Sequence, residues 1–428
     1  MKRGAVLLVS TFVLALIAVV ATFVGSKVRG QAVYTVPVGR VSSLYSNPAY
    51  HGALAVDVRT GHALVATTAG LSLVDIRRGT ILSTILIPQG GSLTMAAEAG
   101  TFLVASAEVS LLDADRGMVM HMARATMYPV NMVVDRRTQR AFVLNGRGYG
   151  GHVLVVELRT GKVLRDMVVS ENSTMDIGDF AVDHHTNRFF VAVPTDDSVR
   201  VFNGSTCALV AVSAVARFPH AIAVDERTGH VFVATNRGVT MLDGGTGKVL
   251  RATDLGAAPT TLVTDVRSRR VFVIVSANDS FGVAEGIRGI GMLDTGSGRL
   301  LRTIPVPENS NPAAIAVDEQ ANRVYITSQG PLDPTQSQTF LGNGTLYVLD
   351  AERGTLLRKL PVGVGPIAVA VDQPTGHVIV LNSGGTIRTT DAWNWMPSWL
   401  RVRLPLVSQH PSLTQIVPGS VSVIDAAR

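Results

Sequence analysis

Seven aspartates recur along the chain at near-regular intervals: Asp57, Asp135, Asp183, Asp225, Asp265, Asp318 and Asp372. Carboxylates in a row, with His62, His230 and His377 close behind three of them, invite a metal-binding or acid–base reading. Their surroundings favour another. Each aspartate stands just before a Thr-Gly or similar turn, where its side chain accepts hydrogen bonds from turn amides. The three histidines share one equivalent turn position, so a structural role is expected for both groups. His51, His121, His152, His184, His185, His220 and His410 fall outside that pattern and show no tight ligand spacing. His184 and His185 are expected in a solvated turn. No nucleophile elbow, phosphate loop, haem-attachment motif or zinc signature is present. We therefore expect no metal, assign no catalytic residue and expect no cofactor.

One stretch departs from the rest. DAWNWMPSWLRVRLPLV, residues 391–407, holds the only three tryptophans of the chain, Trp393, Trp395 and Trp399, followed by Arg401 and Arg403. Tryptophan and arginine are enriched where partners bind, which makes these five residues the candidate ligand- or partner-binding group. A structural lid over the neighbouring elements and contact with a membrane surface are the other two readings.

The elements that hold these residues repeat. The clearest copy is HAIAVDERTGHVFVATNRGVTMLDGGTGKVLRATDL, residues 220–255. Four short apolar runs bounded by turn residues predict four antiparallel strands, a to d, in a unit of about 40 residues. The aspartates above end strand a; the second unit is worn, LTMAAEAGTFLVAS, and has Ala97 there. Strand c ends independently at Asp75, Asp113, Glu157, Asn203, Asp243, Asp294, Asp350 and Asp425, giving eight units.

The two ends of the repeat region complement each other. The chain stops at VSVIDAAR, just after a strand c, while VYTVPVGR (33–40) precedes the first strand a and reads like the strands d LLRTIPVP and LLRKLPVG. Pairing the two removes unpaired sheet edges. The expected fold is all-β: a closed β-propeller of four-stranded blades, eight in number, with seven as the alternative if the second unit is not a full blade. Three regions follow: residues 1–25, a membrane anchor or uncleaved signal segment; 26–32, a short linker; and 33–428, the propeller, closed by strand 33–40.

RVYITS (323–328), VSVID (421–425), RTIPV (302–306) and LPVG (360–363) resemble the YVTN-type repeats of YncE-like β-propeller proteins. The resemblance covers about residues 33–428 and implies the fold more strongly than any activity. Two departures stand out. The members associated with this motif mostly have seven blades. The AVDxxTGH segment also resembles part of the docking repeat of eight-bladed quinoprotein dehydrogenases, but the Trp that follows Thr-Gly there is replaced by apolar residues such as Val233 and Val380.

Charge and hydropathy limit the setting. A net charge of +6, spread over 38 basic and 32 acidic residues without like-charge runs, describes a solvated surface, and no nucleic-acid partner is expected. With Cys207 alone, no intramolecular disulfide can form. Ala5 to Gly25 carries no charge and is long enough to span a bilayer. The expected location is the cell membrane, single-pass, with the propeller on the extracytoplasmic side, or secreted if that segment is cleaved.

Loop length points to function. The b–c connection is a few residues in the first, second, fourth and fifth units but long in the sixth (SANDSFGVAEGIRG), seventh (SQGPLDPTQSQTFLGNG) and eighth, where it contains the tryptophans. In a four-stranded antiparallel unit all b–c connections emerge on one face, and long insertions on one face of a repeat protein commonly bind. The expectation is a non-catalytic binding or scaffolding module, its partner an envelope protein or a small molecule or glycan. The competing class is a propeller enzyme, lactonase-like or quinoprotein-like.

Overall fold

The computed structural model describes residues 33–39, 41, 53–86, 93–124, 129–145, 151–170, 178–275, 289–307, 310–333, 336–389 and 413–425. The expected anchor (1–25), the linker and Trp393, Trp395, Trp399, Arg401 and Arg403 lie outside them. Among the described residues no helix is long and apolar enough to cross a membrane.

Each repeat unit is one four-stranded antiparallel sheet, and there are eight. In the fifth, strands a to d are Ala221–Asp225, His230–Ala234, Gly238–Asp243 and Val249–Asp254. Strand b has apolar side chains on both faces because it is sandwiched. Val231 and Val233 pack with Phe190 and Val199 of the fourth sheet, while Phe232 and Ala234 pack with Val271 and Val273 of the sixth. Both faces of the strand meet a neighbour, so the run HVFVA needs no polar alternation. Strand d is mostly exposed, as suits an outer edge.

Every neighbouring pair of sheets shares such a core, and the series returns to its start. One apolar cluster joins Ile379, Leu381 and Val421 of the eighth sheet to Leu64 and Leu73 of the first and Phe102 of the second. The eighth sheet borrows its fourth strand from the N-terminal side: Val33–Gly39 pairs antiparallel with Gly419–Asp425, placing Val36 opposite Val421. Val36 and Val38 are buried. Tyr34 of that strand lies over Gly79 of the first unit, where any Cβ would meet its ring at 2.7 Å. An all-β ring of this kind is consistent with a β-propeller.

The second unit is a full sheet, but its register corrects the sequence alignment. Glu98, not Ala97, stands opposite the first residue of strand b, Thr101, as Asp225 stands opposite His230. The a–b turn shrinks to Ala99-Gly100, both with positive φ (44° and 93°). Elsewhere it has four residues, and the aspartate organises it. Asp183 Oδ1 accepts from the amides of His185 (2.9 Å) and Thr186 (3.1 Å), and Oδ2 from the Thr186 hydroxyl (2.6 Å). Asp135 and Asp265 repeat this with Thr138 and Ser268. All seven turn aspartates are buried.

Two of the three histidines of that position, His62 and His230, tie sheets together, while Nδ1 of His377 is buried without a hydrogen-bond partner among the described residues. Nδ1 of His62 lies 2.7 Å from the carbonyl oxygen of Ala114, and Nδ1 of His230 lies 2.7 Å from that of Thr295, each in the next unit. Arg140 plays the same part in the third unit, donating to the Ser205 carbonyl at 3.2 Å.

Candidate binding face

The seventh and eighth b–c connections, expected as long loops, contain strands. Leu332–Asp333 and Gln336–Phe340 from the seventh join Gly385–Thr389 and Leu413–Val417 from the eighth in a ninth sheet. Its central pairing is parallel, with Thr339 opposite Thr386 and Phe340 opposite Ile387, so it is made between units and not within one. Phe340 is buried and sits against Gly385, where an added Cβ would meet its ring at 2.9 Å. Asp333, also buried, accepts a hydrogen bond from Arg388 at 2.8 Å across the same junction. The charge pair and the aromatic ring fix two connections as one platform, whose outer strand leaves Ile416 82% exposed. The sixth connection, 276–288, lies outside the described residues.

On the same face, where strands a begin, the third to sixth units carry polar side chains. Four positions before the turn aspartate, most units have a small or apolar residue such as Ala53, Ala221, Ala314 or Ala368, whereas the third and fourth have Asn131 and Asp179. The Asn131 amide donates to Asp179 Oδ1. That carboxylate also accepts the Phe180 amide at 2.8 Å and, in the fifth unit, the Ile222 amide at 3.2 Å. A buried carboxylate with three donors joins three sheets, and its lone pairs are committed to that task. His220 extends the series, its Nε2 2.5 Å from the Pro259 carbonyl and its Nδ1 3.0 Å from that of Phe218.

Phe218 is the exposed end of this network. Its φ of +58° lies in the left-handed region, unusual for a bulky side chain, yet 44% of the residue faces solvent. Its amide donates to Asp197 Oδ1 at 2.8 Å, and its ring rests 6.2 Å from that of His220. A strained backbone held by its neighbours to display an aromatic ring is a common feature of binding surfaces.

The opposite face carries a second charged group. His184 was expected in a solvated turn, but its ring is half-buried between units. Nδ1 is 2.5 Å from Glu226 Oε1, and Nε2 is 3.3 Å from the Val134 carbonyl and 3.8 Å from Asp135 Oδ1. The hydrogen bond with Glu226 raises the His184 pKa above its ordinary value against the effect of burial, and lowers that of Glu226. Burial raises the Cys207 thiol pKa and pushes that of Tyr325 up to about 12. Among the described residues, no three of His, Cys, Asp and Glu are grouped so as to hold a metal ion.

Asn131, Asp179, Phe218, Asp333 and Arg388 were not singled out in the sequence. Asn131 and Asp179 left a signal, as polar residues at a position that is otherwise small or apolar. Asp333 and Arg388 left none, because their pairing joins two connections 55 residues apart.

No family model and no curated protein matches the chain in sequence. Solved structures resemble it in fold. A computationally designed protein, Ika8, shares 16% identity at a TM-score of 0.59, covering 78% of this chain and 95% of that one. Dihydro-heme d1 dehydrogenase NirN shares 14% at 0.55, over 73% and 66% respectively. The β-propeller domain of Cps50 (Swd1) from Myceliophteria thermophila shares 15% at 0.49, over 70% and 95%. At these identities the likeness is one of fold.

Proposed function

We propose that this protein is an extracytoplasmic β-propeller of YVTN/YncE-like type, tethered through residues 1–25, and that it works as a non-catalytic binding or scaffolding module. Its partner is an envelope protein, or a small molecule or glycan, met on the face that carries the ninth sheet and Phe218. The ninth sheet supports this reading most directly. Two connections that needed only to join strands b and c are instead paired, ion-paired and packed on Phe340 into a fixed surface. Rigid platforms lose little conformational entropy on binding. The first strand begins at the c–d end of the eighth sheet, so a tether entering there sets the platform on the far side from the bilayer.

Phe218→Gly and Ile416→Asp test it together. Glycine relieves the positive φ at 218 and aspartate at 416 stays in solvent, so both variants keep or raise the melting temperature. Cross-linking in intact cells, read by mass spectrometry against wild type, is expected to lose the same partners with each variant. Identical partner sets in all three proteins would overturn the proposal.

A further inference from the structure

The groove between the second and third sheets, on the face opposite the ninth sheet, is open to solvent and has a volume of about 520 Å³, within the usual range of small-molecule sites. Two departures of the second unit from the repeat create it. The first residue of strand b is His or Arg in seven units (His62, Arg140, Arg188, His230, Arg270, Arg323 and His377) and Thr101 in the second. In the first, third and fifth units that side chain contacts a carbonyl of the next c–d turn, whereas Arg188, Arg270 and Arg323 donate to the last carbonyl of their own a–b turn. The second departure is the two-residue a–b turn. In the first, third and sixth units a turn arginine clasps the next unit, Arg59 with Asp115 at 2.9 Å, Arg137 with the Asn187 side chain, and Arg267 with the carbonyls of Glu319 and Gln320 at 2.7 and 2.8 Å, whereas the fourth, seventh and eighth turns have no arginine. Ala99-Gly100 has no such residue. Both missing groups are N–H donors, in most units cations, and the place they would fill is the groove.

The receiving side persists. The carbonyl equivalent to those of Ala114 and Thr295 belongs to Leu158, a groove-lining residue beside Glu157, whose Oε2 accepts the Thr160 hydroxyl and whose Oε1 is left for a ligand. Leu103 and Leu111 form a buried apolar floor, and Leu164 is exposed at the edge. Glu98 accepts Arg136 Nε at 2.7 Å, and Arg140 donates to the fourth unit, so neither is free to serve the groove alone. Arg159 stands on the exposed rim. We propose that this groove is a ligand site for a small guanidinium or imidazolium cation with an apolar body, which replaces the missing side chains: its N–H groups donate to the Leu158 carbonyl and Glu157, and its body packs along the Leu158 and Leu164 side chains.

The test uses the full chain and calorimetric titration with butylguanidinium, with butanoate and butanol as controls. Wild type binds butylguanidinium and neither control. Thr101→His restores the residue type of the other units; it is expected to weaken binding about tenfold or more and to raise the melting temperature by about 2 °C. Glu157→Gln, an amide where the fourth unit already has Asn203, weakens binding without loss of fold, and Arg159→Gln strengthens it. No binding by wild type, equal binding by Thr101→His, or butanoate binding as well as the cation would each overturn the proposal.

Discussion

The contact between His184 and Glu226 joins the fourth and fifth sheets, and its contribution should depend on pH in a defined direction. The perturbation is a double-mutant cycle with His184→Gln and Glu226→Gln. At 2.5 Å, unit charges in a water-like medium attract by about 1.7 kcal/mol. Both side chains are more than a third exposed, 35% and 42%, so ordering them and solvent screening reduce the expected coupling to about 1 kcal/mol. His184 has a raised folded pKa, so its contribution is full below its ordinary value of 6.5 and is lost as pH rises through the raised one. Glu226 has a lowered pKa, so its share is full above 4.5 and is lost as pH falls through the lowered value. The pair therefore stabilises most between those two ordinary values. Urea unfolding of the four proteins at about pH 5.5 and about pH 9.5 should give a coupling near 1 kcal/mol at the first and less than half of it at the second. A coupling that stays constant, or grows, at the higher pH would refute the assignment of an interunit ion pair.

Two further predictions concern the repeat and its closure. Cys207 occupies the c–d turn position where six other units have glycine, and it shares their left-handed conformation (φ +60°) and their amide hydrogen bond to the end of strand c. Cys207→Gly should therefore unfold at higher urea than Cys207→Ala, by about 1 kcal/mol, and equal midpoints would show that the turn carries no strain. Val36→Ala, in the strand that completes the eighth sheet, should cost about 2 kcal/mol and speed amide exchange in Gly419–Asp425, whereas unchanged exchange there would mean that the closing strand does not protect its partner.

The strands were legible because the repeat repeats their physical causes. An aspartate that must cap a turn ends strand a, an acid or amide ends strand c, and the run between, such as HVFVA, is apolar on both sides because sheets flank it. The closing strand was legible for the same reason, since VYTVPVGR reads like any strand d. Three things were not. The register of the second unit depends on a two-residue turn, and in the sequence Ala97 and Glu98 are equally placed to end the strand. The ninth sheet rests on a parallel pairing between Gln336–Phe340 and Gly385–Thr389, a long-range contact without local periodicity. His184 reads as a turn residue because the group it meets, Glu226, is at the equivalent position of the next unit.

These misreadings share a cause that also locates the functional candidates. In a ring of similar sheets, a residue common to all units serves the ring itself, as the turn aspartates do with their own amides. A residue that breaks the pattern must either repair a local geometry or face something outside the repeat. Asn131 and Asp179 repair: their polar atoms are matched to each other and to the Phe180 and Ile222 amides. Thr101 does neither within the chain. It replaces a side chain that contacts the neighbouring unit in three other places, and the space it leaves has an apolar floor and retained acceptors. The groove is open to solvent along its charged rim, so water fills it when no ligand is bound and no packing penalty argues against keeping it. Thr101→His sharpens the choice: if the groove has no ligand, the substitution should improve the protein in every assay, and if it has one, stability and binding should move in opposite directions.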